Sequence, residues 1–117
     1  MSKFIFSYRS PKTHDWLADP DGLNAWNQFL TEVVGPKAVD MGWPSFEPTT
    51  IVGETGDTTL LGGYSIIEAD DVETATAMAQ QCPTVERGGG VEVAVLADLP
   101  PEHPAEQIRQ RQAAQAA

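Results

Sequence analysis

The fold is decided by residues 59–96, TLLGGYSIIEADDVETATAMAQQCPTVERGGGVEVAVL. A strand is predicted over Thr59–Glu68, and Asp70 or Asp71 then supplies a helix cap before an apolar stripe at helical spacing. A proline ends that helix, and a glycine-rich turn leads to a last strand over Val91–Leu96. This half of the chain is therefore predicted to be strand, helix, strand.

The first half of the chain begins with the same two elements. A strand is predicted over Lys3–Arg9, where three aromatic side chains alternate with other residues and share one face. Asp19 followed by Pro20 is typical of a helix cap and a first-turn proline, so a helix is predicted from there. This helix either ends just before Pro36 or kinks there and continues to Met41, and we favour the kink.

The segment that connects the two halves is predicted to contain one more strand. We expect it over Ser45–Val52, after a proline and before a polar turn at Gly53–Asp57. The order βαββαβ is typical of a ferredoxin-like α+β fold, a four-stranded antiparallel sheet with both helices on one face. One domain is expected over residues 1–98, followed by a Pro-rich linker and an Ala- and Gln-rich C-terminal tail over residues 99–117.

The sheet face opposite the helices also carries apolar residues. In the last strand Val91, Val93 and Val95 lie on one side, while Ala94 and Leu96 lie on the other. Because a second copy packed sheet against sheet would cover this face, and two-fold dimers are the commonest oligomers, we expect a homodimer.

Composition and charge exclude several classes of function. The chain has 117 residues, is 41% hydrophobic, and carries a formal net charge of −10. Its 7 basic residues are scattered, so nucleic acid and anionic membrane surfaces are not expected partners. The opening residues lead directly into a strand, which leaves no room for a signal peptide, and Cys82 has no second cysteine to pair with. We expect a cytoplasmic protein.

A set of residues, most specific in the second half of the chain, matches a known family pattern at similar spacing. They are Leu61-Gly62-Gly63-Tyr64, Ile66-Ile67-Glu68-Ala69-Asp70-Asp71, Ala75, Ala79, Cys82-Pro83 and Gly89-Gly90-Val91-Glu92-Val93. On these residues the chain resembles the YCII-related family, and within it the DGPF-type branch, over about Lys3 to Leu96. The resemblance implies a dimeric α/β barrel of ferredoxin-like protomers. It also implies, for some members, a small-molecule enzyme with a His–Asp pair in a cleft near the first helix.

Two departures from the family pattern affect what can be carried over. The signature tetrapeptide of the DGPF branch is replaced by Gly56-Asp57-Thr58-Thr59. Where related proteins have a histidine on the first helix, this chain has Asn27, Gln28 and Phe29, none of which is a general base near neutral pH. The family's His–Asp pair is therefore not carried over onto this helix.

The remaining candidates for acid–base chemistry lie in the loop after the first strand. His14 is the acid–base candidate and Asp15 its orienting carboxylate, because a carboxylate beside an imidazole can fix its orientation. Arg9 is a candidate anion anchor, since guanidinium offers a planar fork of donors. The candidate ligand-binding residues are Arg9, Tyr8, Trp16 and Trp43. No metal or cofactor is expected.

Two hypotheses of different class follow from these residues, and the sequence leaves open whether the protein is an enzyme. The first is a homodimer that binds a small organic molecule in a cleft and performs metal-free proton transfer or hydrolysis through His14. The second is a non-catalytic binding or regulatory module on the same scaffold, which the missing helix histidine favours. The first hypothesis expects His14 and Arg9 in one cavity, and the second expects an exposed His14.

Overall fold

The computed structural model describes residues 1–46, 49–56 and 58–116. In these ranges it contains four strands and three α-helices. They are, in chain order, β1 (Ser2–Pro11), α1 (Pro20–Phe29), β2 (Ala38–Asp40), β3 (Thr59–Ala69), α2 (Val72–Ala79), β4 (Gly90–Leu96) and α3 (Pro104–Ala116).

The strands form one antiparallel sheet in the order β2-β3-β1-β4. In the central strand, Phe6 lies opposite Ser65 on β3 and opposite Val93 on β4. This order places the first and third strands in the centre and the second and fourth at the edges. The predicted ferredoxin-like α+β fold is therefore confirmed.

The core lies between the sheet and the two helices α1 and α2. Alternate residues of β1 and β3 point toward the helices because side chains alternate across a strand, and these residues are the buried ones. The buried apolar residues are Phe4, Phe6, Tyr8, Phe29, Val34, Ile67, Ala69, Ala75, Ala79 and Cys82. The alanines of α2 allow that helix to approach the sheet closely.

Both helix starts are confirmed by their caps. Asp19 caps α1 with Pro20 at the first position, and Asp71 caps α2 through the amide of Thr74 at 2.8 Å. The helical path of α1 continues past Phe29 as a π turn and then as a 3₁₀ turn over Gly35–Lys37. A proline is tolerated in a first turn because its missing amide hydrogen has no partner to lose there.

The location predicted for the second strand is wrong. β2 is Ala38–Asp40, seven residues earlier than the predicted start at Ser45, and pairs with the edge of β3. In residues 45–46 and 49–56, the described part of the predicted region, the backbone forms no strand. Beyond β2, the described residues next to β3 include Pro44, opposite Gly63, and Ser45, whose amide donates to the Gly62 carbonyl at 2.9 Å.

Three residues of these predicted features, Glu47, Pro48 and Asp57, lie outside the described residues. The turn at Gly53–Asp57 is therefore described only to Gly56.

The tail forms a helix that stands apart from the core. None of the residues of Pro104–Ala116 whose burial is described is buried, and Ile108 is its half-exposed large apolar side chain.

Candidate functional site

Two connections meet at one end of the sheet. Residues 9–19 are the last three residues of β1 and the loop after it, and residues 83–89 precede β4. They lie side by side because β1 and β4 are antiparallel neighbours, with Arg9 opposite Gly90. We call these two segments together the closed end.

A chain of side-chain hydroxyl groups joins the two segments. Thr84 is fully buried, and its Oγ1 donates to the backbone carbonyl of Arg9 at 2.6 Å. Ser10 Oγ lies 3.1 Å from Thr84 Oγ1, and Trp16 Nε1 donates to Ser10 Oγ at 3.3 Å. The amide of Gly89 donates to the Thr84 carbonyl at 2.9 Å. Because Thr84 Oγ1 donates to Arg9, the Ser10 hydroxyl is the donor between them, and the bonds run in one direction.

Asp19 is the centre of the charged part of the closed end. Its Oδ1 accepts the amide of Gly22 at 2.9 Å, which is the capping bond of α1. Its Oδ2 accepts Arg87 Nε at 2.6 Å and lies 3.2 Å from His14 Nε2. Arg87 is held in turn by a bond from its Nη1 to the Pro83 carbonyl at 3.0 Å. One carboxylate therefore contacts a cation and an imidazole.

The imidazole of His14 is partly enclosed by aromatic and charged groups. Its ring meets Trp16 edge to face at 4.3 Å between centroids, and Trp16 meets Trp26 at 5.8 Å. The guanidinium of Arg87 lies 5.6 Å from the Trp16 ring centre. His14 Nε2 is buried and, among the described residues, has no hydrogen-bond partner, because the Asp19 oxygen is near but out of line.

The charged contacts shift the titration of Asp19. The hydrogen bond from Arg87, with the capping bond from Gly22, holds the pKa of this carboxyl below its ordinary value of 3.8. The carboxylate form is therefore favoured, as a group facing His14 must be to stabilise a positive imidazole.

Asp15 does not contact His14 through its carboxylate in this structure. Its Oδ1 accepts the amide of Leu17 at 3.0 Å and caps the 3₁₀ turn Trp16–Ala18. The carboxylate beside His14 is Asp19 instead, since the 3₁₀ turn brings Asp19 back toward the imidazole.

The structure brings Trp16 to His14 but separates the other predicted ligand-binding residues from it. Arg9 lies on the helix-free face of the sheet. There its guanidinium donates to Thr59 Oγ1 at 3.0 Å and to the backbone carbonyl of Thr59 at 3.1 Å. Tyr8 is in the core and donates to Ser65 Oγ at 2.8 Å, and burial raises the pKa of its phenol to about 12. Trp43 is 78% exposed and follows β2.

The described residues, 1–46, 49–56 and 58–116, contain neither a metal-site cluster nor a membrane-spanning helix. No cluster of three or more His, Cys, Asp or Glu side chains there has the arrangement of a metal site. None of the helices in those ranges has the length and apolar character needed to cross a bilayer.

The sequence profile of the YCII-related domain matches residues 15–98. The chain belongs to the YCII-related family. No curated protein sequence matches it.

A solved structure supports the fold of this YCII-related chain. That structure is of a different protein, 5-chloro-2-hydroxyhydroquinone dehydrochlorinase from Burkholderia phenoliruptrix, in complex with 2,5-dihydroxybenzoquinone. The TM-score is 0.54 at 20% sequence identity, and the match covers 83% of this chain and 93% of the other. At this identity the likeness concerns the fold.

Arg87 was not singled out by sequence reasoning, and Asp19 was interpreted only as a helix cap. A signal for Arg87 existed in the fold prediction. In a ferredoxin-like sheet the end of β1 and the start of β4 are neighbours, so a residue just before β4 lies near the loop after β1. A basic residue at that place in a strongly acidic YCII-related chain has a carboxylate of that loop as its natural partner.

A groove of about 320 Å³ lies beside the closed end, between α1 and the segment after α2. Phe29 and Pro83 belong to its apolar lining, Glu32 and Glu86 to its polar lining, and Arg87 is shared with the Asp19 contact. His14 is not part of this lining.

Proposed function

We propose that this YCII-related chain binds a small hydroxylated aromatic or quinone compound, and that His14 exchanges a proton with that ligand. The observation that carries the proposal is the imidazole of His14, whose buried Nε2 lies 3.2 Å from Asp19 Oδ2. A carboxylate on one side of an imidazole stabilises the positive charge that forms when the other nitrogen accepts a proton. His14 would therefore act as a general base through Nδ1 and return the proton as a general acid.

The surroundings of His14 support an aromatic ligand. Trp16 offers a flat surface beside the imidazole, and aromatic rings stack well on such surfaces. Arg87 adds a cation 5.6 Å from the same ring, which suits the negative oxygen of an ionised hydroxyl group. A protein of the same fold has been solved with 2,5-dihydroxybenzoquinone, and this makes the compound a rational first probe.

We also infer that the protein acts as a homodimer joined through the helix-free sheet face. Ile5 lies opposite Ile66 and Ala94 on that face, with Leu96 farther along β4. Because side chains alternate along each strand, these apolar groups point away from the core and need another cover. A second copy of the same sheet would supply it with matching apolar residues.

Residues 1–98 are proposed to be the folding unit, with residues 99–117 as a separate tail. The support is that no described residue of α3 is buried. Removal of the tail is therefore expected to leave the core packing unchanged.

A non-catalytic binding module is the second candidate. The observation in its favour is that Asp19 Oδ2 already accepts a 2.6 Å bond from Arg87. In that case His14 and Asp19 would only hold two connections together, and the ligand would bind without proton transfer.

The test uses the chain's two histidines. Ring signals of His14 and His103 are followed by NMR while 2,5-dihydroxybenzoquinone is added to the full-length protein at up to millimolar concentration. The proposal expects a saturable change at His14 and none at His103, which lies in the exposed tail. His14→Asn should weaken binding by about tenfold, the loss of a charge-assisted hydrogen bond, while the matched variant His103→Asn should not.

A wild-type protein whose His14 signals do not respond to this probe or to 5-chloro-2-hydroxyhydroquinone overturns the proposed ligand class. Chloride release from the chlorinated compound separates the two candidates. Release that is lost in His14→Asn supports the enzyme, while saturable binding without release supports the binding module.

A further inference from the structure

The carboxylate of Asp19 is fixed in rotation as well as in position. The capping bond from Gly22 to Oδ1 attaches the side chain to the first turn of α1. That bond alone leaves the direction of Oδ2 open. The 2.6 Å bond from Arg87 Nε to Oδ2 removes this freedom, since the plane of the carboxylate must satisfy both donors.

Arg87 is itself held from two further directions. Its Nη1 donates to the Pro83 carbonyl at 3.0 Å within the same turn. Its guanidinium lies 5.6 Å from the centre of the Trp16 ring, the ring that also meets His14 at 4.3 Å. A planar guanidinium with contacts on two edges and near an aromatic ring has little rotational freedom.

We infer that Arg87 is the positioning residue for His14, because it holds Asp19 Oδ2 against Nε2 and thereby leaves Nδ1 as the nitrogen that meets a ligand. The reactive part of this inference rests on the proposed function, but the choice of nitrogen does not. Although the 3.2 Å contact is not aligned as a hydrogen bond, a negative oxygen beside Nε2 attracts the N–H dipole and favours the neutral imidazole that carries its hydrogen on Nε2. The lowered pKa of Asp19 agrees with this, since it keeps that oxygen ionised.

Asp19 and Arg87, which are in contact, lie 68 residues apart in sequence. The segment before β4 would then decide which nitrogen the loop after β1 presents. A change confined to that segment would alter the chemistry of His14 without touching His14.

The test measures the tautomer of neutral His14 in uniformly ¹⁵N-labelled, full-length protein by long-range ¹H–¹⁵N correlation. His103→Asn assigns the two rings. Wild-type His14 is expected mainly as the Nε2–H form. Arg87→Met should lower the ratio of Nε2–H to Nδ1–H by about threefold, the scale of a charge contact near the protein surface, and Asp19→Asn should do the same. Arg87→Lys, which keeps the charge without the planar fork, should restore part of the ratio.

The matched control is Arg109→Met. Arg109 also pairs with a carboxylate, Glu106, but this pair lies in the exposed tail helix. It should leave the His14 tautomer unchanged. Amide spectra of the core report whether each variant is folded, and Arg87→Lys provides the measurement if Arg87→Met is not.

An unchanged tautomer ratio in folded Arg87→Met or Arg87→Lys, with a changed ratio in Asp19→Asn, overturns the positioning role of Arg87. An unchanged ratio in Asp19→Asn overturns the role of the carboxylate itself. If the ratio falls as expected but His14 ignores the quinone probe, the positioning inference stands and the proposed ligand class fails.

Discussion

The connection after β1 and the connection after β2 differ in how they are held. Residues 12–19 are mostly polar or aromatic, and side-chain bonds help to hold this segment, among them Asp15 to the Leu17 amide and Asp19 to Arg87. Residues 41–58 carry more apolar side chains, yet Trp43 is 78% exposed and Phe46 is 88% exposed.

The difference shows that the number of apolar side chains did not decide which connection packs against neighbouring segments. The first connection has the buried Thr84 and the cation Arg87 as partners from a neighbouring segment. The described residues of the second connection lie at the sheet edge beyond the short β2, where Pro44 and Ser45 contact β3. Exposed apolar residues at such an edge are expected at a contact with another chain.

Gly89→Ala should have the largest effect on stability, because the added methyl group would clash with both segments of the closed end. A Cβ there would lie 2.2 Å from the Arg9 carbonyl oxygen and 2.2 Å from Thr84 Oγ1. Backbone would have to shift, so we expect the free energy of unfolding to fall by about 3 kcal/mol. The measurement is urea unfolding at equilibrium. Gly90→Ala is the matched control, since its Cβ meets no atom of the described chain within 4 Å; equal losses for both would contradict the steric argument.

Thr84→Val should cost less, because it keeps the volume and removes the hydroxyl. The Arg9 carbonyl then loses its 2.6 Å donor in a buried place. We expect a loss of about 2 kcal/mol in the free energy of unfolding, the cost of an unsatisfied buried group. Thr84→Ser keeps the donor and should recover most of this loss; a serine variant as unstable as the valine variant would show that methyl packing, not the hydroxyl, matters.

Gly22→Ala tests whether Asp19 and Trp16 are packed as described. Alanine favours a helix by about 1 kcal/mol over glycine, so a helix in open solvent would gain stability. Here the new Cβ would lie 2.4 Å from Asp19 Oδ2 and 2.7 Å from Trp16. We expect thermal unfolding at a lower temperature and a net loss of about 1 kcal/mol. An increase in stability would mean that the carboxylate is not held there.

The decrease in the free energy of unfolding at acid pH should depend on Asp19. Because its pKa is lowered below 3.8 in the folded chain, the folded protein binds fewer protons than the unfolded one in that range. The stabilising contribution is complete above about pH 4 and is lost as the pH falls through the folded-state pKa. Unfolding of wild type and Asp19→Asn, measured from pH 6 downward, should therefore converge at low pH. Curves that remain parallel would exclude the Arg87 contact as the cause.

Trp43→Ser and Phe46→Ser should have the smallest effect on folding. Both side chains are largely exposed, so the free energy of unfolding of the dilute chain should change by no more than about 0.5 kcal/mol. If this connection contacts a second copy, sedimentation should instead show weaker association. Leu17→Ser is the control, since Leu17 is 89% exposed within the closed end. Equal association in all three variants would remove this connection from the dimer contact.

The sequence predicted well those features that depend on neighbours along the chain. Alternation in β1, β3 and β4, the caps at Asp19 and at Asp70 or Asp71, and the order of strands and helices along the chain follow from residues a few positions apart. The short β2 escaped prediction because three residues are too few for a periodic signal, and its place was set by the ladder that Ala38 makes with Ile67. The apolar run after it was interpreted as the strand instead.

The candidate site was predicted in part for the same reason. His14 and Trp16 could be chosen from one loop, because they are two residues apart. Asp15 was the obvious carboxylate by adjacency, but its bond to the Leu17 amide turns it toward the backbone. Neither the return of Asp19 to His14 nor the approach of Arg87 from 68 residues away has a local signal.

The sequence by itself determined the class of fold and the helix caps and singled out His14 as the candidate imidazole, since these depend on side-chain periodicity, on short-range hydrogen bonds and on residue type. The tertiary structure decided which carboxylate lies beside that imidazole and which cation contacts this carboxylate, and it separated Arg9 and Tyr8 from His14. The physical reason is that side-chain partners across antiparallel neighbours are fixed by strand register and packing. Both are properties of the whole chain and not of any one stretch of it.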